Sequence, residues 1–418
     1  MSQQLGYIKS FDGMRGFFAL LIIMTHWPLD MPISPIGWEG LQLFFVLSGF
    51  LITRILLNER AKPIYQNEVS FGGFMKKFMT KRAFRIFPLY FAYIILMYLV
   101  RFGMSDSKFF SGQTAELEVN GIWLWTYLYN FKDFFNHLLG WEMVETPFFA
   151  HLWSLSLEEQ FYVFFPFIVF FVRGKALKIT IVAMIIIPII TRIIGYPYLE
   201  GIAEANNYRE QWAILNIYRN IFFQFDSLAI GAAAAIFDVQ KIKNPRAWLF
   251  AIVAILFSAY AFNCYSLTQI ADPSVKMLPK MYHDGESLNV LGYIFWMGYP
   301  EILKNNYQYA YMFTLINFTA FFMLVCSVQG NSVLKFIFEN KVFVYLGKIS
   351  YGTYVFHFAF MQFFFFVIKK YAFIPPLGHF LWLQVVYFIV YILILYFIAH
   401  LSFKYFEMYF LNMKSKKG

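Results

Sequence analysis

Charge is scarce in this sequence. Only 14% of its 418 residues are Asp, Glu, Lys or Arg, against about a quarter in an ordinary soluble domain. A chain with so few charges cannot take water as its main solvent, which excludes a soluble globular protein. Cysteine is nearly absent. On the topology set out below, Cys264 and Cys326 fall near opposite membrane faces, which argues against a disulfide or a shared metal between them. The sequence has no Gly-rich phosphate loop, no metal-ligand cluster and no nucleophile elbow. Barrel-type alternation is missing too, since Phe161 to Val172 is apolar on every face, which leaves helices as the spanning element.

What is abundant is apolar and aromatic: 60% of the residues are hydrophobic, with 55 Phe and 29 Tyr. Long apolar runs recur near the ~20 residues that cross a bilayer as a helix. The N-terminal run from Phe17 to Met24 follows Lys9 and Arg15 but is succeeded by His26-Trp27-Pro28 rather than a small-residue cleavage site. It therefore reads as a retained first span. The expectation is an all-α polytopic membrane bundle with about ten spans, at 15–30, 41–57, 84–101, 152–172, 177–195, 213–237, 247–266, 308–328, 343–368 and 379–403. Trp123 to Phe135 and Leu288 to Tyr299 are too short or too polar to span and read as re-entrant or interfacial. Residues 1–403 form one transmembrane domain and 404–418 a short basic tail.

With the N-terminus inside, the cytoplasmic segments hold more than twice as many Lys and Arg as the external ones, as the positive-inside rule requires. An even number of spans then places both termini in the cytoplasm. The net charge of +10 follows from this topology and needs no nucleic-acid partner. Between spans 2 and 3, Phe71, Phe74, Met75, Phe78 and Met79 follow helical spacing with Lys76, Lys77 and Lys81 largely opposite. This predicts an interfacial helix attracted to anionic membrane lipids. Arg82 and Arg85, at the entrance of span 3, equally suit bidentate binding of a cofactor's phosphates.

Ionisable groups at membrane depth are costly and mark function. The candidates are Asp12, Arg15 and His26 in span 1, Glu158 and Glu159 in span 4, Arg219 and Asp226 in span 6, and His357 in span 9. Arg15 and His26 lie eleven residues apart, about 16 Å along a helix. A phosphate anchor inside and an imidazole deeper and outward would suit a donor that threads a long arm into the bundle. Asp12 reads as the N-cap of span 1. His357 suits a substrate contact or an interhelical hydrogen bond equally well. Arg219 and Asp226 read as a polar packing feature, with Glu158 or Glu159 as a possible partner of Arg219. Ser48-Gly49, Gly231 and Ala232 to Ala235 permit close helix approach.

Five blocks, in order, resemble membrane-bound acyltransferase family 3: Phe11-Asp12-Gly13-Met14-Arg15-Gly16 with His26; Leu43 to Ile52; Arg82-Ala83-Phe84-Arg85-Ile86-Phe87-Pro88-Leu89-Tyr90; His151 to Tyr162; and Ser350 to His357. The resemblance covers nearly the whole chain. It implies an O-acyltransferase of the bacterial cytoplasmic membrane that takes an acyl group, usually acetyl, from cytoplasmic acyl-CoA. The acceptor would be a hydroxyl of an extracytoplasmic glycan, such as a surface polysaccharide or a lipid-linked saccharide. On this basis His26 and Glu158 are the expected catalytic pair, His26 as general base and Glu158 as its orienting carboxylate, with an acyl-histidine intermediate open. Arg15, Arg82 and Arg85 are the expected donor-binding residues. Asp12, Trp153, Ser154, Tyr351 and His357 are expected in support, and no metal is expected. Little follows span 10, so no appended extracytoplasmic domain is expected, and a separate glycan-assembly partner would complete transfer if one is needed. The alternatives are a proton-coupled secondary transporter, although no internal repeat is visible, or a non-catalytic export factor.

Overall fold

The computed structural model describes residues 7–27, 37–62, 70–209, 211–269, 307–371 and 381–417. All of the regular structure among them is helical. Among the described residues, eight helices are long and apolar enough to cross a membrane. In chain order the helices begin with α1 (Lys9–His26), α2 (Gly37–Arg60) and α3 (Phe71–Gly103). Three short helices follow: α4 (Lys108–Thr114), α5 (Glu116–Trp125) and α6 (Lys132–Leu139). Then come α7 (Trp153–Phe171), α8 (Gly174–Ala205), α9 (Trp212–Arg219), α10 (Ile221–Ile236) and α11 (Pro245–Gln269). The last are α12 (Gln308–Val328), α13 (Ser332–Phe338), α14 (Lys341–Tyr371), α15 (Leu381–Leu401) and α16 (Met408–Lys417).

Two expected spans are absent from the eight because their helices are short or charged. The first is α1, which holds Lys9, Asp12 and Arg15 within 18 residues. The second, expected as one helix over 213–237, is broken between α9 and α10 at Asn220. This residue is extended (φ −84°, ψ 133°), and its side chain accepts from the Phe222 N–H as an N-cap. Arg219 and Asp226 are therefore not on one helix face. The amphipathic segment at Phe71 is not a separate interfacial helix either. It is the start of the 33-residue α3, about 50 Å long and more than a bilayer core requires. Trp123 to Phe135 forms no span but is divided between α5, a 3₁₀ turn and α6. Leu288 to Tyr299 lies outside the described residues. Residues beyond 401 stay helical through a π-helical turn at Ser402–Glu407 into α16, which packs on α3.

Helix directions follow from which residues meet. Phe11 packs on Phe50, and Leu21 lies by Gly40, so α1 and α2 are antiparallel. Asp12 lies by Gly347 and His26 by His357, so α1 and α14 are parallel. Tyr351 bonds Ile86 and Tyr93 packs on Phe356, which makes α3 parallel to both.

Glycine sets the closest of these contacts. A Cβ at Gly13 would stand 1.7 Å from the Phe338 carbonyl oxygen, and one at Gly347 would stand 1.8 Å from that of Asp12. Only glycine lets these backbones touch. Gly49 on α2 and Gly231 on α10 do the same, with a Cβ reaching 2.1 Å from Leu228 O and 1.9 Å from Val46 O. At the centre stands α7, in which Trp153 to Tyr162 are all buried. A helix buried all round needs no polar face, so its polar residues point to a site. The outer helices face lipid instead, as with Ile186, Ile187, Ile190 and Ile194 on α8.

Candidate active site

On α1, Arg15, Ala19, Ile22 and His26 recur at i, i+4, i+7 and i+11 and share one helix face. The first three line a cavity of about 70 Å³. Its other polar lining residues are Ser48 of α2, Arg82 and Arg85 of α3, Ser154, Glu158 and Tyr162 of α7, and Ser350, Tyr351 and Tyr354 of α14. Two other elements carry matching stripes. On α14 the stripe runs Tyr351, Tyr354, His357, and on α7 it runs Glu158 and Ser154, continued by His151 in the turn that precedes the helix. All three lead from an arginine end to a histidine end.

At the arginine end, three guanidinium groups and one carboxylate, Glu158, line the same space, so the cavity carries net positive charge and suits an anion. Arg15 Nη1 lies 3.7 Å from Asp12 Oδ1, and the Tyr7 hydroxyl also donates to Asp12. Asp12 is not the N-cap. The helix begins at Lys9 after Ile8, so Asp12 sits in the first turn and engages Arg15. The Arg82 guanidinium lies 5.5 Å from the Tyr162 ring centroid and 5.8 Å from that of Phe78. Glu158 Oε2 accepts from the Tyr162 hydroxyl at 3.0 Å, while Oε1 is buried without a hydrogen-bond partner.

At the histidine end three imidazoles meet. His357 Nε2 lies 3.0 Å from His26 Nδ1, and His357 Nδ1 lies 2.5 Å from the Tyr354 carbonyl oxygen. The His151 ring stands edge-on to His357 at 4.7 Å between centroids, with Nε2 3.1 Å from the Val355 carbonyl oxygen. His151 Nδ1 is buried without a partner. Tyr354 links the two ends: its hydroxyl donates to the His151 carbonyl at 2.7 Å and lies 2.5 Å from Ser154 Oγ. Among the described residues, no group of three or more His, Cys, Asp or Glu is arranged to hold a metal ion.

The structure therefore brings Arg15, Arg82, Arg85, Ser154, Glu158 and Tyr351 to one cavity and pairs His26 with His357. It does not seat Glu158 beside the imidazole. Glu158 lies seven residues, about 10 Å of helix rise, beyond His151 and belongs to the arginine end. Tyr351 donates to the Ile86 carbonyl at 2.7 Å, which ties α14 to α3. Trp153 is a packing residue, with its ring 5.0 Å from Tyr218 and 6.2 Å from Phe45. Glu159 is buried as well as Glu158, because the first half of α7, Trp153 to Tyr162, is enclosed on every side.

Arg219 pairs with neither of them. It grips Glu145 through both Nη atoms at 2.5 and 2.9 Å and reaches Asp133 at 3.4 Å. Lys132 lies 2.7 Å from Asp133 and 3.2 Å from Glu145. This network locks the 104–152 segment onto the bundle at the histidine end. Burial would raise the Glu145 pKa, but Arg219 and Lys132 outweigh it and hold the carboxyl well below its usual range.

Sequence reasoning missed three functional candidates. His151 stood in plain view as the first residue of a motif. Arg192 on α8 is fully buried and pairs with Asp226 at 2.5 Å, with Thr314 donating to the same oxygen. Glu407 in the π-helical turn is buried and accepts from Ser402 Oγ at 3.2 Å. It sits where a Cβ on Gly352 would come within 2.9 Å of Oε1, and it is close enough to Arg85 for an electrostatic interaction. Such π-turns frequently occur at functional sites, and a lone Glu just past an aromatic span was the available signal.

With this geometry in place, the chain can be assigned: residues 8–401 match the model of a family described as an acyltransferase domain, and the protein belongs to that family. It is similar to a Staphylococcus aureus (strain COL) protein named "Putative O-acetyltransferase", at 27% identity over 367 residues. That match covers 86% of this chain and 52% of the relative. It is also similar to O-acetyltransferase OatA of Staphylococcus aureus (strain NCTC 8325 / PS 47), at 23% identity over 364 residues, 85% of this chain and 51% of OatA. The chain thus spans about half the length of these curated relatives. No solved structure matches.

Proposed function

We propose that this protein is a membrane O-acetyltransferase that carries an acetyl group from acyl-CoA, bound at the arginine end, to a hydroxyl of a glycan, approached from the histidine end. The single observation that carries the reading is the continuous stripe from Arg15 to His26 along one face of α1, joined by Arg82 and Arg85 in the same cavity. A phosphorylated donor with a long flexible arm is the kind of molecule whose anionic part and reacting carbon lie this far apart. On this reading the nucleotide stays outside, toward the arginines, and the thioester arm follows the cavity inward. The excess of Lys and Arg on that side orients it to the cytoplasm of a bacterial inner membrane, with both termini there.

The chemistry at His26 balances without a metal. The imidazole accepts the proton of the acceptor hydroxyl as its oxygen attacks the thioester carbon, the C–S bond breaks, and the protonated imidazole returns the proton to the CoA sulfur. Arg15, Arg82 and Arg85 hold the donor's phosphates, and Glu158 with Tyr162 braces the arginines against their mutual repulsion. Ser154, Tyr351 and Tyr354 line the arm's path. The family match removes the ground for a transporter, for which only the buried charges argued.

The test is acetyl transfer by protein in nanodiscs from labelled acetyl-CoA to glycan acceptors. Acetylated glycan with stoichiometric CoA release supports the reading. Glycan transport without CoA release, or acetylation of cytoplasmic small molecules alone, overturns it.

A further inference from the structure

We infer that His357 sets the tautomer of His26, holding its proton on Nδ1 so that Nε2 is the nitrogen that takes the acceptor's proton. This rests on the reading of His26 as the transfer base.

The assignment follows from a chain of hydrogen bonds that begins at a group with no choice. A carbonyl oxygen only accepts, so His357 Nδ1, 2.5 Å from Tyr354 O, carries the hydrogen. A neutral imidazole has one N–H, which leaves His357 Nε2 with its lone pair. That lone pair faces His26 Nδ1 at 3.0 Å. Two lone pairs would repel at this distance, so His26 Nδ1 is the donor. The remaining nitrogen of a neutral His26, Nε2, is then the basic one. Reversing the bond would require His357 to be protonated on both nitrogens, as a cation at 0% exposure.

The surroundings hold this arrangement. The Tyr391 hydroxyl donates to the His357 carbonyl at 2.8 Å, and the Phe358 ring lies 4.4 Å from the His26 ring. His151 does not compete, because its Nε2 faces the Val355 carbonyl. In hydrolytic triads a carboxylate performs this orienting task. Here a neutral imidazole, itself oriented by a backbone carbonyl, performs it. That accounts for the placement of Glu158 with the arginines rather than with His26. When His26 takes the acceptor's proton on Nε2, its Nδ1–H donates more strongly to His357, and the positive charge spreads over two rings. His357 touches no reacting atom and is a positioning residue.

The experiment compares His357→Leu with His357→Gln, whose amide oxygen can accept from His26 Nδ1, in protein of matched folding. Leu should lower kcat on the order of 10²- to 10⁴-fold, the span reported for losing an orienting partner, with KM for acetyl-CoA within about threefold. Gln should recover at least about tenfold of that loss. Equal losses in the two variants would make His357 a packing residue and overturn the inference, as would full activity in His357→Leu. A second readout does not need turnover: nitrogen NMR of histidine-labelled wild-type protein should show His26 protonated on Nδ1, with the proton redistributed in His357→Leu. Protonation on Nε2 in the wild type would refute the tautomer whether or not the protein transfers acetyl. Absence of any acetyl transfer would refute the functional reading alone.

Discussion

Gly347→Ala should disable transfer without touching a reacting group. The added Cβ would stand 1.8 Å from the Asp12 carbonyl oxygen, 2.6 Å from its carbon and 3.1 Å from Cα. These are backbone atoms, so no side chain can rotate away. Restoring a contact near 3 Å requires α1 and α14 to part by about 1.2 Å, at an overpacking cost of about 1–3 kcal/mol. The same displacement carried along the pair would stretch the His26–His357 contact from 3.0 Å to beyond 4 Å, outside hydrogen-bonding range. The expected result is a fall in kcat of about 10²-fold or more, with a smaller loss of thermal stability. Acetyl-CoA turnover in nanodiscs, with thermal unfolding measured on the same preparation, checks both. Wild-type kcat in a folded Gly347→Ala protein would refute the claim that this glycine contact registers the site.

Arg85→Ala should raise KM for acetyl-CoA about 10- to 100-fold, since a charge-assisted bond to phosphate is worth about 1.5–3 kcal/mol, while kcat at saturation changes less. Steady-state kinetics separates the two. Asp226→Ala should destabilise by about 3–5 kcal/mol by leaving Arg192 buried and unpaired, whereas replacing both partners with apolar residues should cost far less. Chemical denaturation in detergent reads the difference. Glu145→Gln should loosen the 104–152 segment and speed its cleavage by protease. Because Glu145 titrates below its ordinary value when folded, its stabilisation is complete above about pH 4.3 and is lost as the pH falls toward the folded value. Wild type should therefore come to resemble Glu145→Gln in protease sensitivity only in acid.

The sequence carried most of what composition and local spacing can encode. The all-helical membrane class, the exclusion of Trp123 to Phe135 as a span and the close approach at Gly49 and Gly231 were legible, because each rests on composition or on residues within a turn or two of one another. The arginine cavity was legible only because its members fall in recognisable blocks. What could not be read were pairings set by packing. His26 and His357 are 331 positions apart, and nothing local shows that they meet. Arg219 was read against the acids of α7, but the helix break at Asn220 turns it toward Glu145, on a segment with no spanning signal. Arg192 was overlooked because its window is otherwise apolar, and Glu407 because it lies past the expected end of the last span.

The most direct test of the account is the division of labour between the two ends of the cavity, in single turnovers of labelled acetyl-CoA by wild type, Arg85→Ala and His26→Ala at matched folding. The account predicts that Arg85→Ala weakens donor binding but reacts once saturated, while His26→Ala binds the donor normally and transfers nothing. Transfer by His26→Ala at the wild-type rate, or undiminished donor binding by Arg85→Ala, would contradict it.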